Sequence, residues 1–125
     1  MRLVQLLLYI IPVAILVAYS QLIVKWRAQF VGIVLIDQDL IPRLVGYFAD
    51  PYILSAYFSA LLGSILWLVV VSRISLSIGF PVYIGITFLM VMVGSWLFLG
   101  ETVSIIRIVA AILIIAGIVL GATHS

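Results

Sequence analysis

Residues 3–27 read LVQLLLYIIPVAILVAYSQLIVKWR, and the reading of this stretch decides the fold. An apolar run of about 20 residues is the length of helix that crosses a bilayer core. Here the run closes on Ser20, Gln21, Lys25 and Trp26. A hydroxyl, an amide and an ammonium so close together mark the place where a spanning helix meets headgroups or a polar ligand. The pattern then repeats, because the charged residues divide the chain into four apolar windows at residues 3–24, 52–71, 78–99 and 105–122. The expected fold is an all-α integral membrane protein. It has four transmembrane helices in a single domain over residues 1–125, short connections at 72–77 and 100–104, and a longer loop at 25–50.

Composition agrees. Of 125 residues, 67% are hydrophobic and 8% charged, with a net charge of +2, which is far too little polar surface for a soluble domain and no basis for nucleic-acid binding. There is no cysteine, so a disulfide framework, a thiolate metal site and a cysteine nucleophile are all excluded. One histidine and four scattered carboxylates supply neither a hydrolytic triad nor a metal cluster. Neither enzymatic activity, a cofactor nor a metal is expected. Arg2 followed by an apolar run ending in Ala18-Tyr19-Ser20 has the outline of a secretory signal, but the run is long for one and the rest of the chain is as apolar, so it reads as a retained helix.

The long connection holds all three Asp residues, the basic residues Lys25, Arg27 and Arg43, and an apolar patch at 30–36. Too short to span, the patch reads as an extension of the first helix or an interfacial segment. Asp50-Pro51 reads as a helix start, a carboxylate capping free amides and a proline where its missing N–H is not needed. The short connections make the spans antiparallel neighbours with both termini on one side. Arg2 and Arg73 fall on that side and Lys25, Arg27, Arg43 and Arg107 on the other, a bias that favours both termini outside.

Within the spans the informative residues are small or polar. Ser55, Ser59 and Gly63, with Ala56, Ala60 and Ser64 one position on, form rows four apart in the second span. Such rows permit close helix approach, with a hydroxyl-lined path as the alternative. Gly117 and Gly121 form a GxxxG in the fourth span, suited to dimerisation or to packing within the subunit. Gly79 and Pro81 make the third span a candidate hinge. Phe80 and Tyr83, three apart, suit a chamber wall, a grip on a sugar ring or acyl chain, or an aromatic belt. No Asp or Glu is central in any span: Glu101 ends the third and His124 belongs to the terminal tail. An ion-coupled exchanger ordinarily needs such a membrane-embedded ionisable group.

The run IGFPVYIG at 78–85, SWLFLGE at 95–101 and AGIVL at 116–120 together resemble the small multidrug resistance type of the drug/metabolite transporter superfamily, over nearly the whole chain. Cation exporters of that family carry a glutamate in the first helix about two turns before a lysine like Lys25. Val17 stands there in this chain. The branch that resembles aminoarabinose-lipid flippase subunits lacks that glutamate and ends the first helix in Gln-Leu-x-x-Lys, which residues 21–25 match; Phe80-Pro81 is also similar to that branch. The resemblance implies a subunit of the bacterial inner membrane that moves a polyprenyl-phosphate-linked sugar or similar amphiphile between leaflets. It would act as a homodimer or with a paralogous partner.

Ser20, Gln21 and Lys25 would then hold the phosphate and sugar, and Phe80 and Tyr83 would contact the substrate. Two alternatives are an exporter of hydrophobic cations or small metabolites, and a non-transporting accessory subunit of a larger membrane complex.

Overall fold

Lipid offers no hydrogen bonds to a peptide group, so an apolar chain of this composition satisfies its backbone by coiling into helices. The computed structural model describes residues 3–34 and 39–123, and among these the chain forms helices and no strand. They are α1 (Leu3–Val34), α2 (Leu40–Phe48), α3 (Pro51–Arg73), α4 (Leu76–Phe98) and α5 (Ile105–Thr123). Four are long and apolar enough to cross a membrane: Val4–Gln29 within α1, then α3, α4 and α5. The protein is an all-α, four-span membrane protein.

Within the connection at 25–50 the structure takes the helix extension, one of the two readings of the apolar patch, and carries the first helix beyond residue 24. Lys25 does not end the first helix, which stays α-helical to Val34. At about 1.5 Å per residue its 32 residues reach about 48 Å, well beyond a hydrocarbon core of about 30 Å, so the last turns carry Lys25, Trp26 and Arg27 out to the headgroups. A long helical ammonium can do this without breaking the helix, because its stem reaches along the surface. Of the apolar patch at 30–36, residues 30–34 continue α1, while Leu35 and Ile36 lie outside the described residues, as do Arg2 and His124. The described remainder of the connection is the short helix α2 with its flanking residues. Its Leu40, Ile41, Leu44, Val45 and Phe48 are all exposed along one face, the pattern of a helix lying in the membrane interface.

The other boundaries follow from local chemistry. Asp50 caps α3, its Oδ1 accepting from the Tyr52 amide at 2.9 Å, with Pro51 at the first position. Two residues, Ile74 and Ser75, turn the chain from α3 into α4. Gly100, at φ 68, ends α4 in a backbone conformation that L side chains rarely adopt. Ser104 accepts from the Arg107 amide at 3.3 Å at the start of α5. The helix of α4 runs unbroken through Gly79 and Pro81. Gly79 is buried, and a Cβ there would sit 3.1 Å from Ile74 Cγ2. Close packing at the α3–α4 turn therefore accounts for this glycine.

α1 is the helix that touches both α3 and α4 extensively; α3 and α4 barely meet, and among the described helices α5 packs only on α4. The α1–α3 seam is the small-residue row expected from the sequence. Ala56, Ser59 and Gly63 are buried in it, and Ser59 Oγ donates across the seam to the Leu16 carbonyl at 2.8 Å. A Cβ at Gly63 would meet Val17 Cγ2 at 3.2 Å. Ser64 bonds the Ala60 carbonyl of its own helix. The core, Leu6, Ile10, Val13, Val70, Ile74 and Val82, gathers at the end of the bundle where α1 begins. We call this the N-terminal end and its opposite the α2 end.

Two variants test the seam. Ser59→Ala should cost about 0.6 kcal/mol, the typical worth of an interhelical hydrogen bond in a membrane. Gly63→Val should cost more, about 1–3 kcal/mol, because it forces bulk between backbones already in contact. Thermal melts in detergent would rank them; the reverse order would contradict the packing described.

Candidate functional site

The polar cluster that closes the first span is split by the helix that carries it. At about 100° per residue, Ser20 points toward α3 and is buried. Its Oγ donates to the Val17 carbonyl at 2.6 Å, so its proton is used within α1. Gln21 and Lys25, one turn apart, stay together on a different face and are both exposed.

That face has a history further down the helix. Ile10, Ala14, Gln21 and Lys25 fall within about 60° of one another around α1. Ile10 and Ala14 are 0% exposed, whereas Gln21 and Lys25 are open. The stripe is covered at the N-terminal end, where α3 and α4 meet through Trp67, Phe80, Tyr83 and Gly79, and bare toward the α2 end. The amide and ammonium therefore occupy the continuation of a core stripe from which the covering helices have drawn away.

Phe80 and Tyr83 are not part of this place. The close approach of Gly94 to Leu22 sets the register of the parallel helices α1 and α4, and it puts Phe80 level with Leu8 and Tyr83 level with Ile11. Along the axis, Tyr83 is about 15 Å from Gln21 and Phe80 about 25 Å from Lys25. Within one subunit the two groups of expected substrate residues sit at opposite ends. Phe80 and Tyr83 instead cluster with Trp67, whose ring lies 6.3 Å from Phe80 and 4.9 Å from Tyr83. The sequence reading missed Trp67. Its signal was a tryptophan near the end of one span facing an aromatic pair just after a tight turn.

The sequence reading also missed the ion pair that fixes the α2 end. Arg27 Nε lies 2.7 Å from Asp50 Oδ2, and the Asp50 side chain is 5% exposed. The Arg27 guanidinium also stands over Trp26 at 5.2 Å and Tyr52 at 4.8 Å, and those two rings meet edge-on at 5.3 Å. One turn below, the Ser55 hydroxyl donates to the Tyr52 carbonyl at 2.7 Å, which leaves Tyr19 to donate its phenolic proton to Ser55 at 3.0 Å. This ladder ties the outgoing turns of α1 to the first turns of α3.

An apolar groove of about 550 Å³ lies between α1 and α4, lined by residues that include Tyr19, Leu22, Met90, Gly94 and Phe98. Tyr19 is about 160° around α1 from Gln21, so the groove and the polar pair open on different faces.

Gly117 and Gly121 face open space, since a Cβ on either would meet nothing within 4 Å. They line a second groove of about 510 Å³ with Ser77, Ile78 and Pro81 of α4. Among the described residues no group of His, Asp or Glu side chains is placed to hold a metal ion. Comparison with protein-family models, with curated proteins and with solved structures gives no match for this chain.

Asp50 gives a pH test of the ladder. Burial pushes its carboxyl up, but the Arg27 hydrogen bond, the Tyr52 and Ile53 amides and the Arg27 charge outweigh this and hold it below the usual carboxylate value. A depressed native pKa contributes stability that is complete above the unfolded value of about 3.9 and is lost as pH falls through the native value. The melting temperature should therefore drop on acidification below about pH 4, and Asp50→Asn should lower it at neutral pH and remove most of that acid step. An unchanged melt for Asp50→Asn would show that the pair does not fasten the helices.

Proposed function

We propose that the protein is a transporter subunit of the bacterial inner membrane, translocating a polyprenyl-phosphate-linked sugar or similar amphiphile between leaflets as a dimer. The observation that carries this reading is the stripe on α1: Gln21 and Lys25 lie bare on the face that buries Ile10 and Ala14. An ammonium at the headgroup boundary attracts a lipid phosphate, and an amide one turn deeper can donate to and accept from a sugar hydroxyl. Moving a headgroup through lipid requires polar groups that replace water, not a reactive side chain.

Ser20 has no proton to offer such a ligand, because its hydroxyl bonds Val17. The headgroup contacts therefore fall to Gln21 and Lys25. Phe80, Tyr83 and Trp67, at the other end, would meet the substrate in the opposite leaflet or in a partner subunit. The chain's carboxylates, Asp37, Asp39, Asp50 and Glu101, all lie outside the four candidate spans, which weighs against a cation exporter driven through a membrane carboxylate. Dimer formation through α5 is supported by its exposure: it packs only on α4, and Gly117 and Gly121 present bare backbone. This is also the reading to which the resemblance to flippase-like subunits of the small multidrug resistance type leads.

Reconstitution in liposomes with a fluorescent short-chain polyprenyl-phosphate sugar tests the proposal. Protection from a membrane-impermeant reagent should be lost faster with protein than without, and Lys25→Ala should slow that loss at least tenfold while leaving the melting temperature unchanged, since Lys25 is exposed. Scrambling by Lys25→Ala at the native rate would contradict the headgroup assignment. No scrambling by the native chain, together with stable co-purification of a membrane enzyme, would favour an accessory subunit instead.

A further inference from the structure

The N-terminal end of the bundle carries a second polar pocket, on a different face of α1 from the Gln21–Lys25 pair. Gln5, Leu8 and Tyr9 of α1 and Arg73 of α3 line a cavity of about 530 Å³. Arg73 is the last residue of α3 and Gln5 is on the first turn of α1, so the pocket sits where the bilayer core gives way to headgroups. Leu8 is exposed beside it and supplies an apolar wall, while Tyr9 packs partly into the core cluster, which fixes its ring.

Charge separates this end from the other. At the α2 end Arg27 is neutralised by Asp50, and Lys25, Arg43 and Arg107 share their segments with Asp37, Asp39 and Glu101. The connection at 72–77, which lies at the N-terminal end, contains Arg73 and no acidic side chain. No described carboxylate pairs with Arg73. A guanidinium at a bilayer boundary, with an amide and a phenol lining the same cavity and no carboxylate partner among the described residues, has the donor set of a phosphate site: a planar fork for two oxygens and up to three further donors.

We propose that Arg73, Gln5 and Tyr9 bind the phosphate of a membrane lipid at the boundary opposite Lys25. The lipid's chains run down beside Leu8, and the phosphate supplies the counter-charge to Arg73. The site rests on its own pocket and charge pattern and holds whether or not the subunit transports lipid. Two lipids carry the chemistry, a bulk anionic phospholipid and a polyprenyl phosphate.

Titration of the full chain in neutral detergent, read by tryptophan fluorescence, tests the site with dioctanoyl phosphatidylglycerol, farnesyl phosphate and dioctanoylglycerol, which lacks a phosphate. At least one of the two phosphate-bearing lipids should bind at least tenfold more tightly than dioctanoylglycerol. Arg73→Gln should weaken that binding at least tenfold, Tyr9→Phe two- to fivefold, and Arg73→Lys less than Arg73→Gln. In a Lys25→Gln background, which removes the cation of the site proposed for transport, the loss of binding on Arg73→Gln should persist undiminished, which separates the two sites. Preference for phosphatidylglycerol would identify the source as bulk lipid, and preference for farnesyl phosphate as the carrier. Equal binding of dioctanoylglycerol, or Arg73→Gln and Tyr9→Phe both binding as the native chain does with unaltered melts, would overturn the proposal.

Discussion

The close approach of α1 and α3 is the contact on which the rest of the subunit depends. In lipid there is no hydrophobic exclusion to drive helices together, so association rests on dispersion between backbones and on hydrogen bonds across the seam. Ala56, Ser59 and Gly63 provide the first by being small, and Ser59 provides the second by reaching the Leu16 carbonyl. With α3 seated on one side of α1, the two-residue turn at Ile74 and Ser75 forces α4 back along the bundle, where Gly94 lets it settle on Leu22. α1 becomes a spine between two helices that touch each other near that turn. The bare stripe at Gln21 and Lys25 is a consequence of this geometry: helices converging at one end leave the spine uncovered at the other.

Charge is arranged to match. The α2 end is locked by Arg27 and Asp50, a pair whose geometry also caps α3 and stacks on Trp26 and Tyr52. Breaking it would leave a nearly buried carboxylate without its cation, so loss of the Arg27 partner alone is the costly change. Lys25, two residues earlier, is turned to an exposed face. One helix end thus holds a cation committed to structure beside one left for solvent, headgroups or ligand.

The sequence made the fold class legible because a membrane leaves so few choices. Windows of about 20 apolar residues and Asp50-Pro51 as a helix start each have a single physical reading. The small-residue row of α3 was legible for the same reason. Less legible was the extent of α1, since Lys25 looks like a terminus until the reach of a lysine stem is considered. Long-range pairings were invisible: nothing local joins Arg27 to Asp50, or Trp67 to Phe80 and Tyr83. Nor does the sequence show that Phe80 and Tyr83 stand at the other end from Gln21 and Lys25, because register decides this and topology places the start of α4 beside the start of α1. Direction was equally hidden: one residue is about 100° of helix, which buries Ser20 while its neighbour Gln21 is exposed.

The most direct test of this account is single-cysteine labelling, which the cysteine-free chain permits without background. Cysteines at Ile10, Ala14, Gln21 and Lys25 sample one stripe of α1, and each variant is treated in proteoliposomes with a small water-soluble maleimide. The account predicts fast labelling at Gln21 and Lys25, protection at Ile10 and Ala14, and a sharp change between Ala14 and Gln21. Protection of Gln21 equal to that of Ala14 would mean that no water reaches the polar pair, which would contradict an open, headgroup-facing stripe.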